Sequence, residues 1–232
     1  MEELEWWEFD SAAELAEQAA GDIGFVIESA LEAHGGARIA LPGEGAPDAL
    51  FSALVQNRSI DWARVTIIPT DDRLVTLDDQ RSAYRRLEAM FAGVGAEIVS
   101  LVDEAALDDV REAGRLADAR LSLLNWPLDL ACLSVGAGGE VGGILPGPDL
   151  EAALAGPRER RAVGLRHEGG EPRVTLTAAA LSSARAVMLV LEGAEKRGAL
   201  EQAIRDGPLS SRPVGRLLSS IDAAVDIFWS AQ

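Results

Sequence analysis

Ala37-Arg-Ile-Ala-Leu41 is a short apolar run, and Pro42-Gly43-Glu44-Gly45-Ala46-Pro47 follows it without a break. The run is long enough for one buried strand, and the proline and glycines stop it. Pro47 then suits the start of a helix that carries Leu50, Leu54 and Val55 on one face. Upstream, Leu15, Ala19, Ile23, Val26, Ile27, Ala30 and Leu31 recur at three- and four-residue steps. That period predicts an amphipathic helix opening after Asp10-Ser11 and closing at Gly35-Gly36.

The same order of strand, loop and helix recurs along the chain. Val65-Thr-Ile-Ile68 is β-branched, and Tyr84, Leu87, Met90 and Phe91 mark the helix beyond the acidic loop that follows it. Glu97 to Leu101 reads as a further strand, with a long helix from about Glu104 to Leu124. Leu128 to Val135 is a buried strand, and Pro148-Asp149 opens a short helix toward Leu154. Arg173 to Thr177 reads as a strand entering a helix near Leu181, Ala186 to Leu191 as a strongly apolar strand, and Glu195 to Ile204 as a helix.

Alternation of this kind implies an α/β fold: a mainly parallel open sheet with helices on both faces, Rossmann-like and three-layered. Asp226 to Trp229 is expected as an edge strand, with an antiparallel edge strand from the termini as one form of it. Trp6, Trp7, Phe9 and Trp229 are expected to cover the core at the two ends of the chain. No internal repeat or low-complexity linker interrupts residues 1–232, so a single domain is expected. Ala155 to Glu171 is the least structured stretch, either a surface connection or a loop over the site.

The net charge of −17 opposes a phosphate backbone or an anionic membrane, and no basic stripe offsets it. Nucleic acid and membrane are therefore not expected as partners. The first thirty residues lack the pattern of a secretory leader, and no apolar run approaches the ~18 residues of a membrane helix, so a cytoplasmic protein is expected, a monomer or weak homodimer. Cys132, the sole cysteine, lies within an apolar strand and reads as a small buried hydrophobe.

In open parallel sheets ligands bind beyond the carboxyl ends of the strands. Four loops take that position: 42–47, 69–73, 136–143 and 192–196. Gly43 and Gly45 would let backbone N–H groups approach an anion. Arg73 offers a planar fork to phosphate or carboxylate, with Asp71 or Asp72 to hold it. Lys196, the only lysine, adds a point charge. In the third loop five glycines surround one charged residue, Glu140, a carboxylate placed to take a proton from water. His34 reads as a helix cap or a solvent group, and His167 as a possible loop contributor to the site.

These loops resemble, in order and spacing, those of the 6-phosphogluconolactonase family, which also holds glucosamine-6-phosphate isomerases and deaminases. Gly43 and Pro47 fall in its Ser-Gly-Gly-Ser-Thr-Pro loop. Asp61-Trp62, Asp71-Asp72-Arg73 and Ser82 with Tyr84 are similar to its Asp-Trp, Asp-Glu-Arg and Ser-Asn-Tyr segments. Pro172 to Thr177 and Gly193-Ala-Glu-Lys196 match two further signatures. The resemblance implies hydrolysis of 6-phosphogluconolactone to 6-phosphogluconate in the oxidative pentose phosphate pathway, with no metal or other cofactor and a small sugar phosphate as partner.

By the same resemblance Gly43, Gly45, Arg73 and Lys196 face the phosphate, and Arg173 lies near the sugar or the lactone oxygen. Where the family reads Gly-x-Asp-Gly-His-Thr-Ala-Ser, this chain has Gly138 for the aspartate and Glu140 for the histidine. Glu44 stands within the phosphate loop, where it would repel the substrate unless it turns outward. Two other functions follow from the same pattern: a sugar-phosphate binder without turnover, and isomerase or deaminase chemistry on an amino-sugar phosphate.

Overall fold

The computed structural model describes residues 4–166 and 170–231. Its centre is a seven-stranded parallel sheet in the order β1-β10-β9-β6-β2-β3-β5. In chain order the elements are β1 (Leu4–Phe9), α1 (Ala12–His34), β2 (Ala37–Leu41), α2 (Asp48–Val55), β3 (Val65–Pro69), β4 (Asp71–Arg73), α3 (Ala83–Phe91), β5 (Glu97–Ile98) and α4 (Val110–Leu121). There follow β6 (Leu130–Ser134), α5 (Leu150–Leu154), β7 (Ala162–Leu165), β8 (Arg173–Leu176), α6 (Ala178–Ser182), β9 (Ala186–Glu192), α7 (Ala194–Asp206), α8 (Pro213–Leu218) and β10 (Val225–Ser230).

Successive residues of a strand face opposite ways, and the sheet is buried on both sides for that reason. Ile39, Ile67, Cys132, Val190 and Phe228 pack with α1, α2 and α3. Their neighbours Ala40, Ile68, Leu133, Leu189 and Ile227 pack with α4 to α8. Helix α1 has the ends its sequence promised: the Ser11 hydroxyl accepts from Glu14 N–H at 3.2 Å, and Gly35 closes it at φ 83°. Among the described residues no helix is long and apolar enough to cross a membrane.

Several expectations need correction. Asp226 to Trp229 lies in β10, which is not an edge strand: β1 pairs outside it, and both terminal strands run parallel to the rest. Antiparallel pairing occurs instead in a separate three-stranded sheet, β4-β8-β7. That sheet draws β7 from the stretch expected to be irregular and β4 from the acidic loop. The helix expected over 104–124 is split, because Asp103 caps a short 3-10 turn and Asp109 caps α4, each accepting a nearby backbone N–H at 3.0 Å. The strand expected over 97–101 contracts to Glu97–Ile98.

Candidate functional site

The chain runs from β2 outward to β3 and β5, then returns to place β6 on the other side of β2. The loops leaving β2 and β6 therefore diverge, and a crevice opens between them at the carboxyl end of the sheet. The Ser134 hydroxyl donates to the Glu44 carbonyl at 2.9 Å and ties the two loops at their base. Above that tie lies a cleft of about 230 Å³ whose lining includes Glu44, Gly45, Asp71, Glu140, Arg173 and Lys196. A larger cleft, about 400 Å³, opens between α4 and β7. It shares no lining residue with the first cleft, and its Asp118 carboxylate is already taken by the Arg161 and Ala162 N–H groups at 2.6 and 3.3 Å.

The small antiparallel sheet explains how two distant arginines meet. Arg73 on β4 and Arg173 on β8 are direct cross-strand partners. Like charges so placed are unfavourable unless an anion joins them. Glu44 does so, with one carboxylate oxygen 2.9 Å from Arg73 Nη2 and the other 3.3 Å from Arg173 Nη2. Glu44 thus leans onto the arginine pair, with about half of its side chain still exposed. The expected clamp on Arg73 is different: neither Asp71 nor Asp72 holds it. Asp71 pairs with Arg173, and Asp72 accepts from the Ala83 and Tyr84 N–H groups at 2.7 and 3.0 Å, closing the start of α3.

Burial pushes the Asp71 carboxyl above its ordinary value, with Arg173 the main opposing influence. Burial likewise works against the Arg173 charge, but Asp71 and then Glu44 more than offset it, so the guanidinium holds its proton more tightly than usual. For Asp72 burial again raises the value, and the two backbone N–H groups and the Ser82 hydroxyl oppose it.

The glycines of the third loop have a specific use. The Glu140 carboxylate folds over Gly136 and Gly138, accepting from Gly138 N–H at 3.0 Å, and a Cβ on either glycine would collide with it. Gly138 and Glu140 are therefore coupled, since a side chain at 138 would displace the carboxylate. Val214 N–H donates to the Gly139 carbonyl at 3.0 Å and fixes the loop to α8.

Lys196 enters the cleft from the first turn of α7. The neighbouring Arg197 anchors that helix: its guanidinium lies 4.3 Å from the Trp229 ring centre and 5.1 Å from that of Trp6, and pairs with Glu8 at 2.8 Å. Lys196 itself has no ionic partner among the described residues.

The rim thus brings together Gly45, Asp71, Glu140, Arg173 and Lys196, with Arg73 joined through Glu44. Gly43 stands apart, packed against Ala83 so closely that a Cβ would not fit. His167 lies outside the described residues. His34 is neither a simple cap nor a solvent group, because its Nε2 lies 3.0 Å from the buried Asp129 carboxylate at the opposite end of the sheet. Sequence reasoning missed Ser134, Arg197 and Arg212, whose stem lies across Gly139. Ser134, the last residue of its apolar strand, was the one with a visible signal.

A doubly wound sheet with a polar, cation-bearing cleft at its switch point places this chain among the α/β proteins whose ligand sites form at the carboxyl rim. The chain belongs to the glucosamine-6-phosphate isomerase/6-phosphogluconolactonase family, whose model matches residues 10–227. It is 32% identical to the 6-phosphogluconolactonase of Rhizobium meliloti, covering 96% of this chain and 97% of that one. To the 6-phosphogluconolactonase of Mesorhizobium japonicum it is 31% identical, with 97% and 94% covered. The crystal structure of a 6-phosphogluconolactonase from Shewanella baltica superposes with a TM-score of 0.91 at 27% identity, covering 99% of each chain.

Proposed function

We propose that this protein hydrolyses 6-phosphogluconolactone to 6-phosphogluconate, the lactone-opening step of the oxidative pentose phosphate pathway. The observation that carries the reading is the convergence of Glu140 from a loop, Arg173 from β8 and Lys196 from the first turn of α7 on one cleft at the β2/β6 switch point. In this reading the whole chain acts as one lactonase unit in the cytoplasm, on a small sugar phosphate, without a cofactor, as a monomer or weak homodimer.

The chemistry asks little of the protein. A δ-lactone is an activated ester, so a positioned base and a stabilised oxyanion suffice. Glu140 takes a proton from water, whose oxygen bonds to the lactone carbonyl carbon. The ring C–O bond then breaks, and the departing ring oxygen regains the proton as a hydroxyl. Gly136 and Gly138 leave room for the Glu140 carboxylate beside the cleft, while the cations of the rim hold the phosphate and balance the charge that develops on the carbonyl oxygen.

A second reading, a sugar-phosphate binder without turnover, draws support from the hydrogen bond that keeps Glu140 folded on its own loop. One measurement separates the two: purified protein is mixed with freshly made 6-phosphogluconolactone and acid release is followed against spontaneous hydrolysis. Turnover that Glu140→Gln removes supports the hydrolase. A rate equal to the uncatalysed one, with ligand binding intact, supports the binder.

A further inference from the structure

Of all the ionic contacts at the rim, the one made by Glu44 is built to be exchanged. Arg73 and Arg173 face each other across the β4/β8 ladder, and Glu44 is the one carboxylate among the described residues that touches both. The other partners are subsidiary. Glu171 comes only within 3.9 Å of Arg73 Nε, and Asp71 binds Arg173 through a different nitrogen, Nη1.

The two halves of Glu44 are held very differently. Its backbone is pinned, since its carbonyl accepts from the Ser134 hydroxyl at 2.9 Å. Its side chain is 47% exposed and, among the described residues, is held only by the two guanidinium groups. Rotation of that side chain would free Nη2 of both arginines without moving the loop. Of the two, Arg173 lines the cleft that Lys196 also lines and Arg73 adjoins it through Glu44, and Lys196 has no ionic partner of its own among the described residues. An incoming dianion would thus exchange one carboxylate for contacts to three cations, whereas a monoanion would only repeat what Glu44 already does.

We propose that Glu44 is an internal occupant of an anion subsite formed by Arg73 and Arg173, and that a ligand phosphate enters by displacing its carboxylate. Glu44 is then a specificity residue: it keeps simple monoanions out of the cleft and admits a phosphate that can also reach Lys196. The identity of the phosphate bearer rests on the lactonase reading, but the exchange itself requires only a dianion.

Inorganic phosphate is the probe. Titrated by calorimetry into the whole protein, it should bind Glu44→Gln and Glu44→Ala about fivefold more tightly than the unsubstituted chain, the upper end of what removal of a partly exposed competing ion pair gives. Arg73→Gln introduced into Glu44→Gln should cancel the gain. In lactone hydrolysis KM for the phosphorylated substrate should fall by a similar factor in Glu44→Gln. Phosphate binding that is unchanged or weakened in both Glu44 variants, with melting temperatures like that of the parent, overturns the inference. Absence of turnover in every variant would instead count against the lactonase reading, and the phosphate titration would still decide the role of Glu44.

Discussion

The two ends of the parallel sheet each hold a carboxylate among cations, and they use it in opposite ways. At the amino end Asp129 is 2% exposed, accepts from Arg38 N–H at 2.8 Å, faces His34 at 3.0 Å and has Arg185 Nε at 3.4 Å. Those partners come from the starts of β2 and β9 and the end of α1, so the carboxylate joins three elements. At the carboxyl rim Glu44 meets two arginines in the same manner but stands half in water. A buried carboxylate with several donors is a structural joint, because removing it strands those donors. An exposed one is replaceable, because water or a ligand can take over its contacts.

The most severe test of this contrast is Asp129→Ala, which leaves the Arg38 N–H, the His34 ring and the Arg185 guanidinium without their carboxylate. A stability loss of about 3 to 5 kcal/mol is expected from denaturant midpoints. Glu44→Ala should stay within about 0.5 kcal/mol of the parent. Equal losses at the two positions would erase the distinction. Next in size is Glu140→Gln, which should lower kcat about 100-fold, as loss of a general base does, with little change in melting temperature. If kcat stays within about threefold, Glu140 is not the base.

Arg173→Gln lies between these extremes, since Arg173 is partly buried and serves both Glu44 and Asp71. Removing it takes away the main influence opposing burial at Asp71, so the raised carboxyl should rise further. The sign follows from linkage. A folded-state value above the unfolded one means that the native protein binds the proton more tightly, so its penalty is greatest at neutral pH. That penalty is relieved as pH falls through the raised value toward the ordinary 3.8. The variant should therefore show a deficit of about 2 kcal/mol near pH 7 that shrinks on acidification. A deficit that grows as pH falls would show that Asp71 does not depend on Arg173 for its charge.

Much of this arrangement could be read from the sequence, and the parts that could not share a cause. Ser11 and Gly35 bounded α1, and the apolar runs marked β2, β3, β6 and β9, because each signal is local and strong. The candidate rim was readable for the same reason, as each of its loops follows such a run. What escaped was fixed by pairings between distant residues. β4 is three polar residues and β7 contains a glycine, and each exists as a strand only because β8 lies between them. The lean of Glu44 onto the arginine pair depends on the same sheet, since Arg73 and Arg173 come together only across its ladder. His34 was misread likewise: its partner Asp129 is nearly a hundred positions away in the chain, although it is adjacent across the fold.

The finest distinction between the two ends is carried by β6, which runs from Leu130, next to Asp129 at the joint, to Ser134 at the rim. Cys132 sits midway, fully buried, with burial pushing its thiol up to about 12. At pH 8 a disulfide reagent should not label it in the native protein, since the thiolate is scarce and the strand encloses it. Labelling then reports opening of the strand rather than reactivity of the site. Exchange at Glu44 needs only a side-chain rotation, so Glu44→Gln should leave the labelling rate where it is. Asp129→Ala loosens the strand at its start and should raise the rate by roughly the factor its stability loss implies, about 100-fold or more. A Glu44→Gln protein labelled as fast as Asp129→Ala would mean that the rim contact braces the sheet, and that the two carboxylates are structural in the same sense.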